Sequence, residues 1–275
     1  SCYTTDLRQS FTNSGSIVFP DDTGHISYSN SGAILNTGLI TKTGTSTSGS
    51  NTNTIYAPTS GSGTFTIASG GRLNLNGAGS SIDPAGKPAL TVQGGGTLGV
   101  TGSLRVGANA EVTGTDTTLE ITGTLQVDTS ISPTSNGRIH LAGGTITGDG
   151  NVNVPSSGTL TVSGGTVSGT GTLAIASGGH ATIALTPTIA LRQGWFTVDR
   201  PVTNAGTWTQ TTDATAKPNC PTNGGASCLQ TLLYQSFTNS GSIVFPDDTG
   251  HINSSSNSGA ILNTGLITKT GTSTS

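Results

Sequence analysis

Short runs of four to six residues, in which apolar side chains alternate with Thr, Ser or Asn, recur along the whole chain. Alternation with a period of two places every second side chain on the same face of an extended strand. Glycine interrupts the runs, and the apolar positions never settle into the three-and-four spacing of a helix. The pattern therefore predicts an all-β protein with strands at 64–67, 72–75, 97–100, 103–106, 119–121, 124–127, 151–154, 159–162 and 172–175.

A second motif has the form apolar-x-Asn-x-Gly-x-apolar and occurs at residues 11–17, 34–40 and 202–208. Asn tolerates the left-handed conformation and bonds its own backbone, and Gly supplies a positive φ. The motif therefore predicts a tight corner between two strands. Asn side chains stacked in successive corners would form hydrogen-bonded ladders.

The chain also repeats itself over a long distance. Residues 10–26 return unchanged at 236–252, and residues 30–48 return at 257–275 after a one-residue insertion. The offset is therefore 226 residues before the insertion and 227 after it. We expect a piece of a tandem array, with 1–226 as one full period and 227–275 as the start of the next, continuing the same structure. An array repeats a surface instead of building one unique pocket.

Among all-β architectures, a β-solenoid fits this repeat best. Closed barrels do not join end to end without a break, and hairpin signals such as Asn-Gly are missing between most of the predicted strands. Small residues dominate the predicted corners, where a coil must turn within a few positions. With coils of roughly 20–25 residues, one period holds about ten coils and advances about 50 Å along the axis.

Composition agrees with a thin core repeated along an axis. The 275 residues include 42 Gly, and only 31% are hydrophobic and 8% are charged, which is too little apolar content for a thick globular core. The formal net charge is −3, and ten scattered cationic residues form no basic stripe, which argues against nucleic acid as a partner. No stretch approaches the roughly 20 apolar residues that cross a membrane, and residues 1–10 do not form a signal peptide.

The Asn-x-Gly corners, the Gly-Thr-Leu-x-Val strands and the Ser/Thr/Gly composition resemble repeats of large bacterial surface proteins. The nearest types are filamentous-haemagglutinin-like adhesins and autotransporter passengers, whose repeats form a right-handed parallel β-helix. The resemblance implies an extracellular or cell-surface rod for attachment or fibre formation, with no enzymatic activity and no cofactor. It implies as partners other repeats end to end, further copies in a fibre, or a host surface ligand. No functional residue is transferred, because these families share no site motif.

The most polar cluster in the sequence is Asp21, Asp22 and His25, which returns as 247–251. Two carboxylates and an imidazole are suitable ligands for a divalent cation. The alternative, which we favour, is a surface loop in which Asp caps a turn and Gly closes it. On this interpretation, neutralising the loop changes the free energy of unfolding by no more than about 1 kcal/mol.

Two other functions remain open. A polysaccharide-acting enzyme would need clustered carboxylates with a Lys or Arg on one face, and stacking of coils could gather acids that stand apart in sequence. An ice-binding protein would need Thr at the same strand position in successive coils, and Thr-x-Thr pairs are frequent. The relevant residues are the acids Asp83, Glu111, Asp116, Glu120, Asp128 and Asp149, and the Thr pairs at 41–43, 64–66, 159–161 and 207–209.

Aromatic and apolar residues crowd the end of the period, at 195–196, 208 and 232–234. A sugar-stacking platform is one interpretation of this group. We instead expect these residues to pack a bulge or a short extra segment onto the solenoid, where one period passes into the next.

The three cysteines follow the register of the repeat. Residues 220–228 form a short loop with Pro, Asn and Gly-Gly, flexible enough to bring Cys220 and Cys228 within the Cα spacing of a disulfide, about 5.5 Å. A shift of 226 residues places Cys2 opposite Cys228. We therefore expect a Cys220–Cys228 disulfide, with Cys2 left unpaired by truncation. An oxidised pair implies an export compartment.

Overall fold

The computed structural model describes residues 3–29, 32–45, 52–82, 90–185, 194–212, 229–246, 250–254 and 259–270. Within these residues the chain forms β-strands and no helix, so no helix there is available to cross a membrane. The first sixteen strands are β1 (Tyr3–Leu7), β2 (Phe11–Asn13), β3 (Ser16–Phe19), β4 (Gly24–Tyr28), β5 (Ile34–Asn36), β6 (Leu39–Lys42), β7 (Asn53–Ile55), β8 (Thr59–Ser60), β9 (Thr64–Ile67), β10 (Arg72–Leu75), β11 (Ser80–Ile82), β12 (Thr91–Gln93), β13 (Thr97–Val100), β14 (Ser103–Val106), β15 (Asn109–Thr113) and β16 (Thr118–Ile121). The others are β17 (Thr124–Val127), β18 (Ser130–Thr134), β19 (Arg138–Thr147), β20 (Asn151–Val154), β21 (Thr159–Ser168), β22 (Leu173–Ile175), β23 (His180–Leu185), β24 (Gly194–Asp199), β25 (Val202–Asn204), β26 (Thr207–Thr212), β27 (Leu229–Leu233), β28 (Phe237–Asn239), β29 (Ser242–Phe245), β30 (Gly250–Ser254), β31 (Ile261–Asn263) and β32 (Leu266–Lys269).

The strands form three faces, and each turn of the chain contributes one strand to each face. Face 1 contains β1, β4, β7, β10, β13, β16, β23, β26, β29 and β32, and face 2 contains β2, β5, β8, β11, β14, β17, β24, β27 and β30. The long strands β19 and β21 run from face 1 into face 2 and join the two faces into one sheet. Face 3 is a separate 11-stranded sheet of β3, β6, β9, β12, β15, β18, β20, β22, β25, β28 and β31.

Neighbouring strands within each face pair in parallel, so the chain winds round one axis as a β-solenoid. This confirms the predicted all-β parallel solenoid. All nine predicted strand segments lie within or overlap strands of the structure. The alternating pattern identified them because inward apolar and outward polar side chains alternate in each strand.

The core consists of columns in which each turn adds one side chain above the last. On face 1 the column contains Leu73, Leu98, Leu119, Ile139, Leu160, Ala181, Trp208 and Ile243, all buried. The small Ala181 lies directly below the large Trp208, which keeps the column filled without widening the solenoid.

The expectation that the late aromatic residues pack an extra segment is wrong for Phe196 and Trp208. Both are fully buried inside the solenoid. The Trp208 ring stacks on Phe196 with centroids 6.2 Å apart and meets Phe237 edge-on at 5.1 Å. Trp195 points outward from face 2 and is 52% exposed. These aromatics therefore continue the core from the first copy of the repeat into the second.

The Asn-x-Gly corners are present, but their glycines have a different cause from the one predicted. Gly15, Gly38 and Gly206 are not among the residues with positive φ. A Cβ on Gly38 would instead come closer than 3.0 Å to the carbonyl oxygen of Gly15, one turn below. Close approach of stacked backbones, and not a left-handed conformation, therefore selects glycine here.

The predicted asparagine ladders are confirmed. Asn13 donates from Nδ2 to Oδ1 of Asn36 at 2.7 Å, within the corner that follows face 2. In the corner that follows face 3, Asn204 donates to Asn239 at 2.7 Å and Asn239 to Asn263 at 2.6 Å. Because Asn13, Asn36, Asn204 and Asn239 are buried, these bonds give partners to amide groups that water cannot reach, and among the described residues only Oδ1 of Asn204 in this set is left without one.

The second copy of the repeat continues the same stack with the same internal register. Tyr3 pairs with Gly24 in the first copy, and Leu229 pairs with Gly250 in the second. However, β1 lies on face 1 whereas its counterpart β27 lies on face 2. From β1 to β27 the chain advances by 26 strands but by 28 faces, because β19 and β21 each cover both face 1 and face 2. Three faces make one turn. One period is thus nine turns and one further face.

Candidate functional site

Asp21 caps a turn, as the loop interpretation predicts. Its Oδ1 accepts hydrogen bonds from the Thr23 backbone N–H at 2.9 Å and from the Thr23 hydroxyl at 2.7 Å. These bonds to the Thr23 side chain and backbone lower the pKa of the exposed Asp21 carboxyl below its usual value. Oδ1 of Asp21 therefore accepts two hydrogen bonds within the turn.

Asp22 departs from the prediction that this loop is a surface feature. Its Oδ1 lies 3.0 Å from Nζ of Lys42, and the Lys42 side chain is fully buried. Among the described residues the ammonium has no aligned hydrogen-bond partner, so the contact with Asp22 is an ion pair. Lys42 points inward because it follows the buried Ile40 by two positions in β6. Asp22 is thus the counter-charge of a buried cation.

His25 is directed to the next turn. Its Nδ1 accepts a hydrogen bond from the Thr54 backbone N–H at 3.2 Å, and its ring lies 6.2 Å from that of Tyr56. Asp21, Asp22 and His25 therefore bond to three different partners. Among the residues that the structure describes, no group of three or more His, Cys, Asp or Glu side chains could hold a metal ion.

Among the described residues, a cluster of ionisable side chains lies instead on face 1, across turns that are far apart in sequence. Arg72 in β10 donates from Nη2 to Oε1 of Glu120 in β16 at 2.5 Å. Oε2 of Glu120 lies 3.6 Å from Nδ1 of His140 in β19. On its other side, His140 Nε2 lies 3.1 Å from the hydroxyl of Ser163.

Gly99 makes the Arg72–Glu120 contact possible. It occupies the outward position of the intervening strand β13, between Asn74 and Glu120 in register. A Cβ there would come closer than 3.0 Å to Nη2 of Arg72 and to Oδ1 of Asn74. Without a side chain at this position, the guanidinium spans the gap and reaches the second turn above.

The cluster has a clear electrostatic effect on its carboxylate. The His140 ring and the Arg72 guanidinium together lower the pKa of Glu120 to about 2, against the opposing effect of burial. Glu120 is therefore ionised at neutral pH. Its carboxylate links its own turn to the turns that carry Arg72 and His140.

Chemically, the cluster offers one carboxylate, one imidazole and one hydroxyl on an open strand face. Glycoside hydrolysis by the usual route needs a second carboxylate that flanks the same bond. Two of the acids considered from sequence have other partners: Asp128 accepts from Arg105 and Gln126, and Asp149 accepts from Thr170. Asp83 lies outside the described residues.

Threonine does form a rank in register, on face 2. Thr124, Thr145, Thr166 and Thr197 occupy the same outward position in four successive turns. The next residues in this rank are Ser103 before it and Leu232 after it. The Thr-x-Thr pairs at 159–161 and 207–209 belong to face 1, where His180 interrupts one rank. Stacking of the turns thus places in register threonines whose spacing in the sequence is irregular.

Arg200 is a further charged residue that sequence reasoning missed. Its guanidinium is fully buried and donates to the carbonyl oxygens of Gly150 at 2.9 Å, Gly148 at 3.1 Å and Ser168. Desolvation lowers its pKa below the usual value. The side chain ties its own turn to the two turns below, which is a structural role.

The predicted cysteine pair stays a prediction. Cys2, Cys220 and Cys228 lie outside the described residues, as do residues 247–249 of the second copy of the acidic turn.

We predict that Asp21 and Asp22 differ sharply on substitution. Asp22→Ala leaves the buried ammonium of Lys42 without its counter-charge and should lower the free energy of unfolding by about 3 kcal/mol. Asp21→Ala removes an exposed turn bond and should cost about 1 kcal/mol or less. Urea denaturation of both variants measures the difference, and equal small losses would contradict a structural role for Asp22.

We also predict that Glu120 makes stability depend on pH in acid. Because the folded-state pKa of about 2 lies below the ordinary value of 4.5, its contribution is complete above about pH 4.5 and disappears as pH falls through about 2. Allowing for solvent screening, the contribution is about 1–2 kcal/mol. Glu120→Gln should remove it from urea titrations at pH 5 and pH 2, whereas the control Glu111→Gln, on face 3, should keep it. An unchanged pH dependence in Glu120→Gln would refute the assignment.

Comparison with known proteins gives no relative on which to base a function. No family model matches the chain, and neither the curated proteins nor the solved structures contain a match.

Proposed function

We propose that the chain is a segment of a structural and adhesive extracellular rod, built from tandem repeats of about 226 residues and without catalytic activity. The observation that carries the proposal is the pairing across the boundary between the two copies. Strands β27, β28 and β29 of the second copy pair in parallel with β24, β25 and β26 of the first. A rod that continues through its own repeat boundary can extend to any length by adding repeats.

The distribution of charge and burial supports a mechanical role. Among the described residues, the buried charges Lys42 and Arg200 bond within the chain, and Arg72 and Glu120 bond across turns. The apolar core of the first copy continues into the second through Leu233, Phe237 and Ile243. Only 8% of the residues are charged.

An extracellular location is part of the proposal, and two arguments from sequence favour it. The predicted Cys220–Cys228 disulfide would require an oxidising compartment. The repeats also resemble those of bacterial surface adhesins and autotransporter passengers. The expected partners are further repeats end to end, further copies of the chain in a fibre, and a host or surface ligand.

Chains with one, two and three copies of residues 1–226 test the rod directly. At about 4.8 Å per turn, nine and one third turns give about 45 Å per copy. Electron microscopy and small-angle X-ray scattering should show particles of constant width, each copy adding about 45 Å. Separate globules joined by hinges, or a length that does not grow in equal steps, would refute the proposal.

Ice binding is a second candidate function, favoured by the Thr rank on face 2. Its four Thr residues lie about 4.8 Å apart, the spacing of neighbouring strands, and occupy paired positions on one face. Regular hydroxyl ranks on flat β-helical faces are how some antifreeze proteins meet ice.

Under this second function, the protein inhibits ice recrystallisation, and Thr166→Lys on the rank abolishes the effect. The matched control Thr91→Lys alters an outward Thr on face 3 and should leave the inhibition intact. Absence of inhibition by the unaltered protein would eliminate this candidate and leave the rod proposal standing.

A further inference from the structure

Equivalent residues of the two copies lie on different faces of the solenoid. Phe11–Asn13 forms β2 on face 2, whereas Phe237–Asn239 forms β28 on face 3. Ser16–Phe19 forms β3 on face 3, whereas Ser242–Phe245 forms β29 on face 1. Every described strand of the second copy is displaced by one face in the same direction, which follows from a period of nine turns and one face.

We infer that successive repeats of the array are related by a screw of one third of a turn and about 45 Å, so that each repeat presents the same surface to a different side of the rod. This inference rests on the proposed function as a tandem array. It adds the direction in which each repeat presents its surface to a binding partner.

The displacement of the second copy by one face is fixed by side-chain packing in the core. At the boundary, Val202 pairs with Phe237, and Trp208 pairs with Ile243, so the inward residues of the second copy complete columns of the first. Phe196 lies beside Thr231, a fully buried polar residue that donates from its hydroxyl to Oε1 of Gln210 at 2.8 Å. Bringing equivalent strands onto one face would require removing one strand from each period or adding two, which would break these matches.

The same internal pairing is kept on the new face. Phe11 pairs with Ile34 in the first copy, and Phe237 pairs with Ile261 in the second. The repeat therefore folds alike whichever face its first strand occupies. Because β2, β3, β5 and β6 recur with unchanged sequence as β28, β29, β31 and β32, the next boundary should add the same third of a turn.

The screw determines what a partner encounters. Any site carried once per repeat points in three directions in turn and returns to the same side only after three repeats, about 135 Å along the rod. The strands beside the turn at 20–24 illustrate this: β3 and β4 lie on faces 3 and 1, whereas their counterparts β29 and β30 lie on faces 1 and 2. A partner held at one side can thus bind every third repeat, and partners around the rod can bind all of them.

An array of four repeats with a peptide epitope in chosen repeats tests the screw. The epitope is inserted between Ser135 and Asn136, an exposed turn between β18 and β19, and is detected with its Fab fragment by electron microscopy. Arrays labelled in repeats one and four should show both Fabs on the same side of the rod. Arrays labelled in repeats one and two should show them on different sides.

Fabs of repeats one and two on the same side, as often as those of one and four, would overturn the inference while the rod itself stands. A chain that is not a continuous rod, even without the epitope, would overturn the proposed function and the inference with it. If the insertion shortens the rod, the exposed turn at Ser156–Ser157 provides a second insertion point with the same expected pattern.

Discussion

The close approach of one turn to the next is the constraint on which the rest of this structure depends. Parallel strands lie about 4.8 Å apart, and where the chain turns a corner the backbones themselves come into contact. At the corner between faces 1 and 2, a Cβ on Gly102, Gly123 or Gly144 would come closer than 3.0 Å to a carbonyl oxygen one turn below. The high glycine content therefore reflects stacked corners more than unusual backbone angles. A chain so rich in glycine would be unstable as separate hairpins, and it gains order from the repetition of these contacts.

Charged side chains reinforce the stacking in a consistent way. Arg200 reaches carbonyl groups of the two turns below it, and Arg72 crosses the side-chain gap at Gly99 to reach Glu120. Lys42 is neutralised by Asp22 at a corner. Each of these groups connects turns that are distant in sequence, so the few charges of this chain hold the stack together. Ionisable groups also lie close together in catalytic centres, but here Arg72 and Lys42 form ion pairs with Glu120 and Asp22.

The sequence predicted the strands, the solenoid and the asparagine ladders because period-two alternation and the Asn-x-Gly motif are local signals. It could not predict the Arg72–Glu120–His140 cluster or the Thr rank, since both depend on the length of every intervening turn. Adjacent turns on face 1 differ by 20 to 35 residues in their paired positions, such as Asn53 with Leu73 and Trp208 with Ile243. Lys42 was within reach of sequence reasoning, because its position after Ile40 in an alternating strand already indicated an inward side chain. The buried Arg200 had no such signal: it lies outside any strand, in the bend between β24 and β25.

The boundary between repeats also bears on how such a chain can change over evolutionary time. Each boundary is formed by the last strands of one repeat and the first strands of the next, and where these sequences recur unchanged, as residues 10–26 do at 236–252, the boundaries of an array are alike. Unequal recombination that gains or loses a whole repeat therefore creates no new junction, and the core columns stay matched. Loss of a partial repeat would set unrelated strands against each other. Selection can thus adjust the reach of the molecule in whole-repeat steps without solving a new folding problem each time.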